Sequence, residues 1–293
     1  MVHNNTIAVI GGDLRQAHLA KSLCKDGFIV KIFGFDKGID FKSDAVVCSS
    51  IKEAVNDCGL VVLPLPYSND FININAPFSN NDIPINDLYK ALNGCKLVVG
   101  GRLNDGVYNE AGRHGFKIID YFEREELAVL NAIPTAEGAI QIAMEEMPIT
   151  IHNSSCLVTG WGRISKVLSN CLYNLGAKVT VCARKVADLA WIKAYNYTPS
   201  PIYDLEKMAC NYDVIFNTVP AMIIDEKVLK NVSSDTLIID LASKPGGVDM
   251  QSAAKLNIKV IWALSLPGKV APITSGDIIK DTVMNIVNEE AAE

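Results

Sequence analysis

The sequence predicts an α/β protein built from two doubly wound, parallel sheets, each with its own crossover helices, the two domains linked by interdomain helices. Short β-branched or apolar runs alternate with stretches of helical period along the whole chain, as expected for parallel strands buried on both faces. A plan of strand, glycine turn, helix and second strand occurs twice, once from Thr6 and again from Cys156. With 293 residues, the chain is long for one domain and sufficient for two cores. Both blocks therefore read as Rossmann-like domains. Residues 1–130 together with a C-terminal helix at 275–293 make a substrate-side domain, flavodoxin-like or Rossmann-like. Residues 131–151 are an interdomain linker helix, and residues 152–274 a nucleotide-binding Rossmann domain.

The first block opens with the β-branched run Thr6-Ile7-Ala8-Val9-Ile10, followed by Gly11-Gly12-Asp13. Apolar residues at Leu14, Ala17, Leu19, Ala20 and Leu23 give a helix over Leu14–Lys25. The second strand, Phe28–Phe33, follows Asp26-Gly27. Further strands are expected at Leu60–Leu63, Lys96–Val99 and Lys117–Ile119. Glu125–Ile133 reads as a helix that Pro134-Thr135 breaks, with a new helix from Ala136 to Met147 and Thr135 as its N-cap.

In the second block, Cys156–Thr159 is a strand, Gly160-Trp161-Gly162 a turn, and Ile164–Leu175 a helix closed by Gly176. Strands follow at Lys178–Cys182, Asp213–Asn217, Thr236–Asp240 and Lys259–Trp262. An amphipathic helix over Ile278–Val287 is expected to return to the first domain.

Composition narrows the functions. Hydrophobic residues make up 49% and charged residues 20%, the balance of a globular enzyme rather than a disordered chain. A net charge of -6 argues against a nucleic-acid groove or an anionic membrane surface, although a local basic pocket for a small anion is compatible with it. No continuous apolar run approaches the roughly 18 residues of a membrane span, and the start from Met1 to Thr6 lacks the basic and apolar regions of a signal peptide. The eight cysteines are scattered in apolar stretches without a C-x-x-C pair or zinc spacing. Reduced packing thiols, and hence the cytosol, are expected.

The strongest local signal is Gly160-Trp161-Gly162-Arg163-Ile164-Ser165. The first glycine permits the tight turn, the second lets backbone approach a pyrophosphate, and the helix amides that follow face its charge. Ser165 stands where Gly or Ala is usual, which is expected to loosen helix–strand packing slightly. NAD enzymes place Asp or Glu at the end of the next strand to hold the ribose 2′-hydroxyl. Here that position carries Ala183-Arg184-Lys185, with Arg184 lying 24 residues beyond Gly160. A carboxylate would repel a 2′-phosphate, whereas arginine holds one through paired charge-assisted hydrogen bonds. NADP is the expected cofactor. Two later strand ends, Asn217-Thr218-Val219-Pro220 and Asp240-Leu241-Ala242-Ser243-Lys244-Pro245-Gly246-Gly247, are expected to line the ribose and nicotinamide.

Gly11-Gly12-Asp13-Leu14-Arg15-Gln16 occupies the matching place in the first block but lacks the chemistry, since Asp13 puts negative charge where a pyrophosphate would sit. Arg15 can instead bind a small carboxylate, with Asp13 orienting it; the alternative is an Asp cap beside a surface arginine. Thr135 and Glu137 border the expected interdomain cleft and suit anion binding and proton transfer respectively, with a simple helix cap as the alternative. Neither His18 nor His114 is singled out as a base.

With these segments in place, the chain resembles the dipicolinate synthase A-subunit family over nearly its whole length. The resemblance is carried by Gly11-Gly12-Asp13-Leu14-Arg15-Gln16, Ile133-Pro134-Thr135-Ala136-Glu137-Gly138, Ile239-Asp240-Leu241-Ala242-Ser243-Lys244-Pro245-Gly246-Gly247, and Leu266-Pro267-Gly268 with Ala271-Pro272 and Thr274. It implies conversion of 4-hydroxy-tetrahydrodipicolinate to pyridine-2,6-dicarboxylate in the mother cell of a spore-forming bacterium, together with a flavoprotein B subunit. The two carboxylates of such a substrate call for cationic or helix-N-terminal donors, for which Arg15, Thr135 and Lys244 are the candidates. Open alternatives are an NADP-dependent amino- or hydroxy-acid dehydrogenase, and a non-catalytic NADP-binding subunit that sets the conformation of a partner. A homo-oligomer is a further possibility.

Overall fold

The computed structural model describes residues 5–41 and 44–292. The residues Met1–Asn4, on which the signal-peptide expectation partly rests, lie outside the described residues. The chain divides into two compact units, Met1–Leu130 with Ala271–Glu293, and Asn131–Val270.

The first unit holds strands β1 (Thr6–Ile10), β2 (Ile29–Phe33), β3 (Val46–Val47), β4 (Leu60–Val62), β5 (Leu97–Gly100) and β6 (Lys117–Asp120). Its helices are α1 (Leu14–Lys25), α2 (Ile51–Val55), α3 (Ile85–Ala91) and α4 (Asp105–His114). The sheet is parallel in the order β3-β2-β1-β4-β5-β6. Of the two alternatives for this domain, that is the Rossmann order and not the flavodoxin one. The central strands β1 and β4 are buried throughout, which explains their unbroken apolar composition.

Helix α5 (Glu125–Glu146) follows, and the boundary between the units falls inside it. The expected break at Pro134 does not occur. A proline inside a helix removes one amide donor and crowds the carbonyl four residues back, at a cost of about 3 kcal/mol. Packing offsets this: Ala136, Ala139, Ile140 and Ala143 are all buried in the core of the second unit. Thr135 is therefore not an N-cap; its hydroxyl donates to the Asn131 carbonyl at 2.7 Å, one turn back in the same helix. By length and composition α5 is also long and apolar enough to cross a membrane, although half of its apolar window is buried inside the fold.

The second unit carries β7 (Ser155–Thr159), β8 (Lys178–Ala183), β9 (Thr198–Pro201), β10 (Val214–Asn217), β11 (Leu237–Asp240) and β12 (Lys259–Trp262). Its crossover helices are α6 (Arg163–Asn174), α7 (Val186–Ala194), α8 (Leu205–Met208), α9 (Glu226–Leu229), α10 (Met250–Lys255) and α11 (Leu266–Val270). The parallel order β12-β11-β10-β7-β8-β9 repeats the topology of the first unit. Strand β9, Thr198-Pro199-Ser200-Pro201, has no strand signature in the sequence because two prolines argue against one; it lies at the sheet edge, where a missing N–H is tolerated. All eight cysteines are unpaired. Burial pushes the thiols of Cys58 and Cys156 up to about 11 and that of Cys182 to about 12, so they stay protonated packing groups.

The last helix, α12 (Pro272–Glu290), belongs to the first unit and lies along α1. Ile279, Val283 and Ile286 enter the core formed by Ile7, Val9, Leu19 and Leu23. Asp277 ties the two helices, accepting from Ser22 at 2.9 Å and lying 3.2 Å from His18. Gly276 sets how close they come, because a Cβ there would stand 2.6 Å from the carbonyl oxygen of Arg15. Substituting alanine in a helix interior ordinarily gains about 1 kcal/mol over glycine. At Gly276 the sign is expected to reverse, with Gly276→Ala costing about 1–3 kcal/mol through overpacking. Urea unfolding measures this; an unchanged or higher midpoint would show that the helices separate without penalty.

Candidate functional site

Four adjacent strands of the second unit, β8, β7, β10 and β11, end side by side, and most of the residues expected to hold cofactor lie in the loops that leave them. Ligands of open parallel sheets bind at this carboxyl edge. Strand β7 runs out at Gly160, whose φ of +88° lies in the left-handed region and whose amide donates to the Cys182 carbonyl at 2.8 Å. A side chain there would also meet the Thr218 hydroxyl at 2.8 Å, so glycine is required twice over.

Gly162 is the N-cap residue of α6, and no side chain caps the helix. A Cβ on Gly162 would find nothing within 4 Å, and the first turn has no acidic residue. This twelve-residue helix thus begins without a side-chain cap and without an acidic residue to offset the partial positive charge of its N-terminus. That cradle fits a dinucleotide pyrophosphate. Ser165 is fully buried, and its hydroxyl donates to the Gly160 carbonyl at 2.7 Å. The expected loosening at this position is therefore not found, since the serine ties the turn to the helix.

Beneath the loops runs a buried polar chain that sequence reasoning does not reach. The Thr159 hydroxyl donates to Asn217 Oδ1 at 2.6 Å, and Asn217 Nδ2 donates to Asp240 Oδ1 at 2.7 Å. Asp240, only 2% exposed, also accepts the amides of Ala242 at 3.0 Å and Gly247 at 2.9 Å. Asn217 Oδ1 accepts the Val219 amide as well, at 3.2 Å. One carboxylate and one carboxamide thus fix the loops after β7, β10 and β11. Gly247 permits the approach, because a Cβ there would lie 2.3 Å from Asn217 Nδ2.

Arg184 and Lys185 are exposed at the end of β8, directly before α7. Ala183, Leu241 and Ala242 are buried, whereas Pro220, Ser243 and Lys244 are exposed. Trp161 can serve a ligand through its backbone amide, because its indole is committed elsewhere. The ring stands 6.0 Å from Tyr195, 6.2 Å from Tyr197 and 5.8 Å from the Lys166 ammonium, and Ile164 packs on the same core.

In the first unit, Asp13 caps α1 in a complete capping box with Gln16. The segment after β4 covers the glycines: the Gly12 amide donates to the Asn75 carbonyl at 2.8 Å, and a Cβ on Gly11 would touch Ala76. Arg15 is buried rather than on the surface. Its Nε and Nη2 donate to Asp13 and its Nη2 also donates to the Leu65 carbonyl, leaving Nη1 uncommitted among the described residues. Nearby, Gln16 donates to Tyr121, which donates to the Leu63 carbonyl. Burial raises the Tyr121 phenol well above its ordinary value, so it remains a proton donor. Thr135 and Glu137 both lie on α5. Glu137 lines a groove with Cys171, Asn174 and Leu175, at the end of α6 remote from Gly162.

The A subunit of dipicolinate synthase from Bacillus subtilis (strain 168) is 33% identical over 288 residues, covering 98% of this chain and 97% of that protein. The chain belongs to the dipicolinate synthase A-subunit family. The model of the family's N-terminal domain matches residues 6–122. The crystal structure of the B. subtilis protein superposes with a TM-score of 0.88, covering 98% of this chain and 97% of that one. The counterpart from Bacillus halodurans gives the same score at 32% identity, covering 97% and 98%. A transhydrogenase from Sinorhizobium meliloti, 12% identical with a TM-score of 0.70 over 97% of this chain and 94% of its own, shares the fold.

The polar chain under the loops makes Asp240→Asn informative. The new amide cannot accept from the Ala242 and Gly247 amides together, which leaves a buried donor unpaired at a cost of about 1–3 kcal/mol. Urea unfolding of the variant is expected to show that loss, and full retention of stability would mean that the loops are held by other contacts.

Proposed function

We propose that the chain is the NADP-binding component of a dipicolinate synthase, acting on 4-hydroxy-tetrahydrodipicolinate to form pyridine-2,6-dicarboxylate together with a flavoprotein partner. The observation that carries the cofactor assignment is the open N-terminus of α6 beside a guanidinium, rather than a carboxylate, at the end of β8. Family membership over nearly the full length supports the substrate class in this reading. The requirement for a partner accords with the relatives being named as one subunit of a synthase. A cytosolic location in the mother cell belongs to the same reading.

In this reading, the amides after Gly162 bind the pyrophosphate, and Arg184 with Lys185 binds the 2′-phosphate through charge-assisted hydrogen bonds. Bound NADP supplies a two-electron hydride acceptor. The loops tied by Asn217 and Asp240 then hold the ribose and ring in one place, so that orientation is settled before reaction. Loss of water from the hydroxylated ring gives a dihydropyridine dicarboxylate. Loss of one hydride and one ring proton makes it aromatic, so the protein's main task is positioning. Arg15 is suited to hold a substrate carboxylate, since Asp13 and Leu65 orient its guanidinium and leave Nη1 available. Lys244 is an exposed cation at the edge of the nucleotide loops.

Co-expression with a flavoprotein encoded beside the gene tests the reaction. A copurifying pair is expected to produce pyridine-2,6-dicarboxylate with coupled NADP reduction, both read by absorbance. A well-folded pair that makes no product would favour a dehydrogenase of another amino or hydroxy acid. For the cofactor, Arg184→Ala is expected to weaken NADPH by about tenfold or more while leaving NADH nearly unchanged. Titration of both nucleotides measures the ratio, and an unaltered preference removes the 2′-phosphate contact.

A further inference from the structure

A dicarboxylate needs a second cation besides Arg15, and the first unit presents one at the same sheet edge that no local sequence pattern singles out. Strands β1, β4 and β5 are neighbours, and Arg15, Leu65 and Arg102 leave their carboxyl ends in that order. Arg15 reaches the middle strand by donating to the Leu65 carbonyl. From the other side, the Gly101 amide donates to the Pro64 carbonyl at 3.0 Å. A Cβ on Gly101 would lie 2.6 Å from the Leu65 side chain and 2.9 Å from the Tyr121 ring. Arg15 and Arg102 therefore flank a single segment, Pro64-Leu65. With strands about 4.8 Å apart, their strand ends are separated by roughly 10 Å, a span that two arginine side chains can close around a ring with two carboxylates.

The backbone of Arg102 points to use of its side chain. Its φ is +61°, a conformation that glycine adopts freely and arginine does not. The conformation is enforced by Asp120, 6% exposed, which accepts the amides of Arg102 at 3.0 Å, Leu103 at 2.7 Å and Phe122 at 2.7 Å. The Arg102 side chain is exposed and forms no ion pair among the described residues, so packing does not require it. A residue held in a strained conformation with its functional group free is the pattern of a binding site.

We propose that Arg102 is a specificity residue of the substrate site, binding the second carboxylate of a ring dicarboxylate whose first carboxylate is held by Arg15. The proposal rests on the dicarboxylate reading above. It accounts for preference between substrates with one carboxylate and substrates with two, and it assigns Arg102 no part in proton or hydride transfer.

The test compares pyridine-2,6-dicarboxylate with pyridine-2-carboxylate, titrated calorimetrically into the full chain saturated with NADP in metal-free buffer. The wild type is expected to bind the dicarboxylate about tenfold or more tighter, the worth of one charge-assisted contact. In Arg102→Gly the ratio is expected to fall close to one, while the melting temperature holds or rises because glycine accepts the backbone conformation. If the wild type shows the preference and Arg102→Gly keeps it, the role of Arg102 is overturned and the dicarboxylate reading stands. If the wild type binds neither compound, the reading of the site falls and the proposal with it.

Discussion

The second unit depends on one buried carboxylate. Asp240 is enclosed at the end of β11 with three hydrogen bonds and no cation among the described residues, so its charge is carried by amide dipoles alone. Such a group tolerates no slack, because any loop that withdraws leaves an anion short of a donor in a low-dielectric setting. The donors come from two loops directly and from a third through Asn217 and Thr159. The polarity of the chain follows from this charge: Asp240 takes the Asn217 amide, which turns the Asn217 oxygen toward the Thr159 hydroxyl and the Val219 amide. Three separate strand ends consequently behave as one rigid rim around the helix that begins after Gly162.

The two units show how one topology serves different ends. Both place a glycine turn between their first strand and first helix, in sheets of the same order. In the first unit the helix N-terminus is closed by Asp13 and the turn is overlain by Asn75 and Ala76. In the second it is open, with serine rather than glycine or alanine tying the turn to the helix from below. Since the amides at a helix start can satisfy either an internal carboxylate or an external anion, Asp13 closes one helix start where Gly162 leaves the other without a side-chain cap. Capping α1 also frees Arg15 from its place in a phosphate loop and fixes it as a rigid guanidinium.

How far the sequence reveals this depends on which physics leaves a local mark. Central strands such as β1, β4 and β10 are buried on both faces, so apolar runs locate them within a residue or two. Edge strands lack that pressure: β3 is two exposed valines and β9 carries two prolines. Pro134 misleads for the opposite reason, since a strong local signal is overridden by alanines packing against the second core. Within the site, the glycines of the α6 turn are legible because backbone geometry demands them. Asp240 and Asn217 are not, since their importance lies in hydrogen bonds between residues 23 apart in the chain. Arg102 is hidden because a left-handed arginine has no compositional signature; only the clamp by Asp120, 18 residues later, reveals it.

Local placement of charge, rather than its total, decides what this chain can bind. A net charge of -6 would repel a dinucleotide phosphate and a dicarboxylate alike if it were spread evenly. Several acidic groups are instead paired or hydrogen-bonded within the fold. Asp13 is paired with Arg15, Asp277 lies against His18 and Ser22, and Glu289 holds Arg124 at 2.6 Å. Asp120 and Asp240 are turned inward onto backbone amides. Cations stand at both carboxyl edges: Arg184, Lys185 and Lys244 in one unit, and Arg102 with the uncommitted Nη1 of Arg15 in the other. An acidic protein can therefore keep exposed cations at its strand ends, because several of its carboxylates serve as internal fasteners.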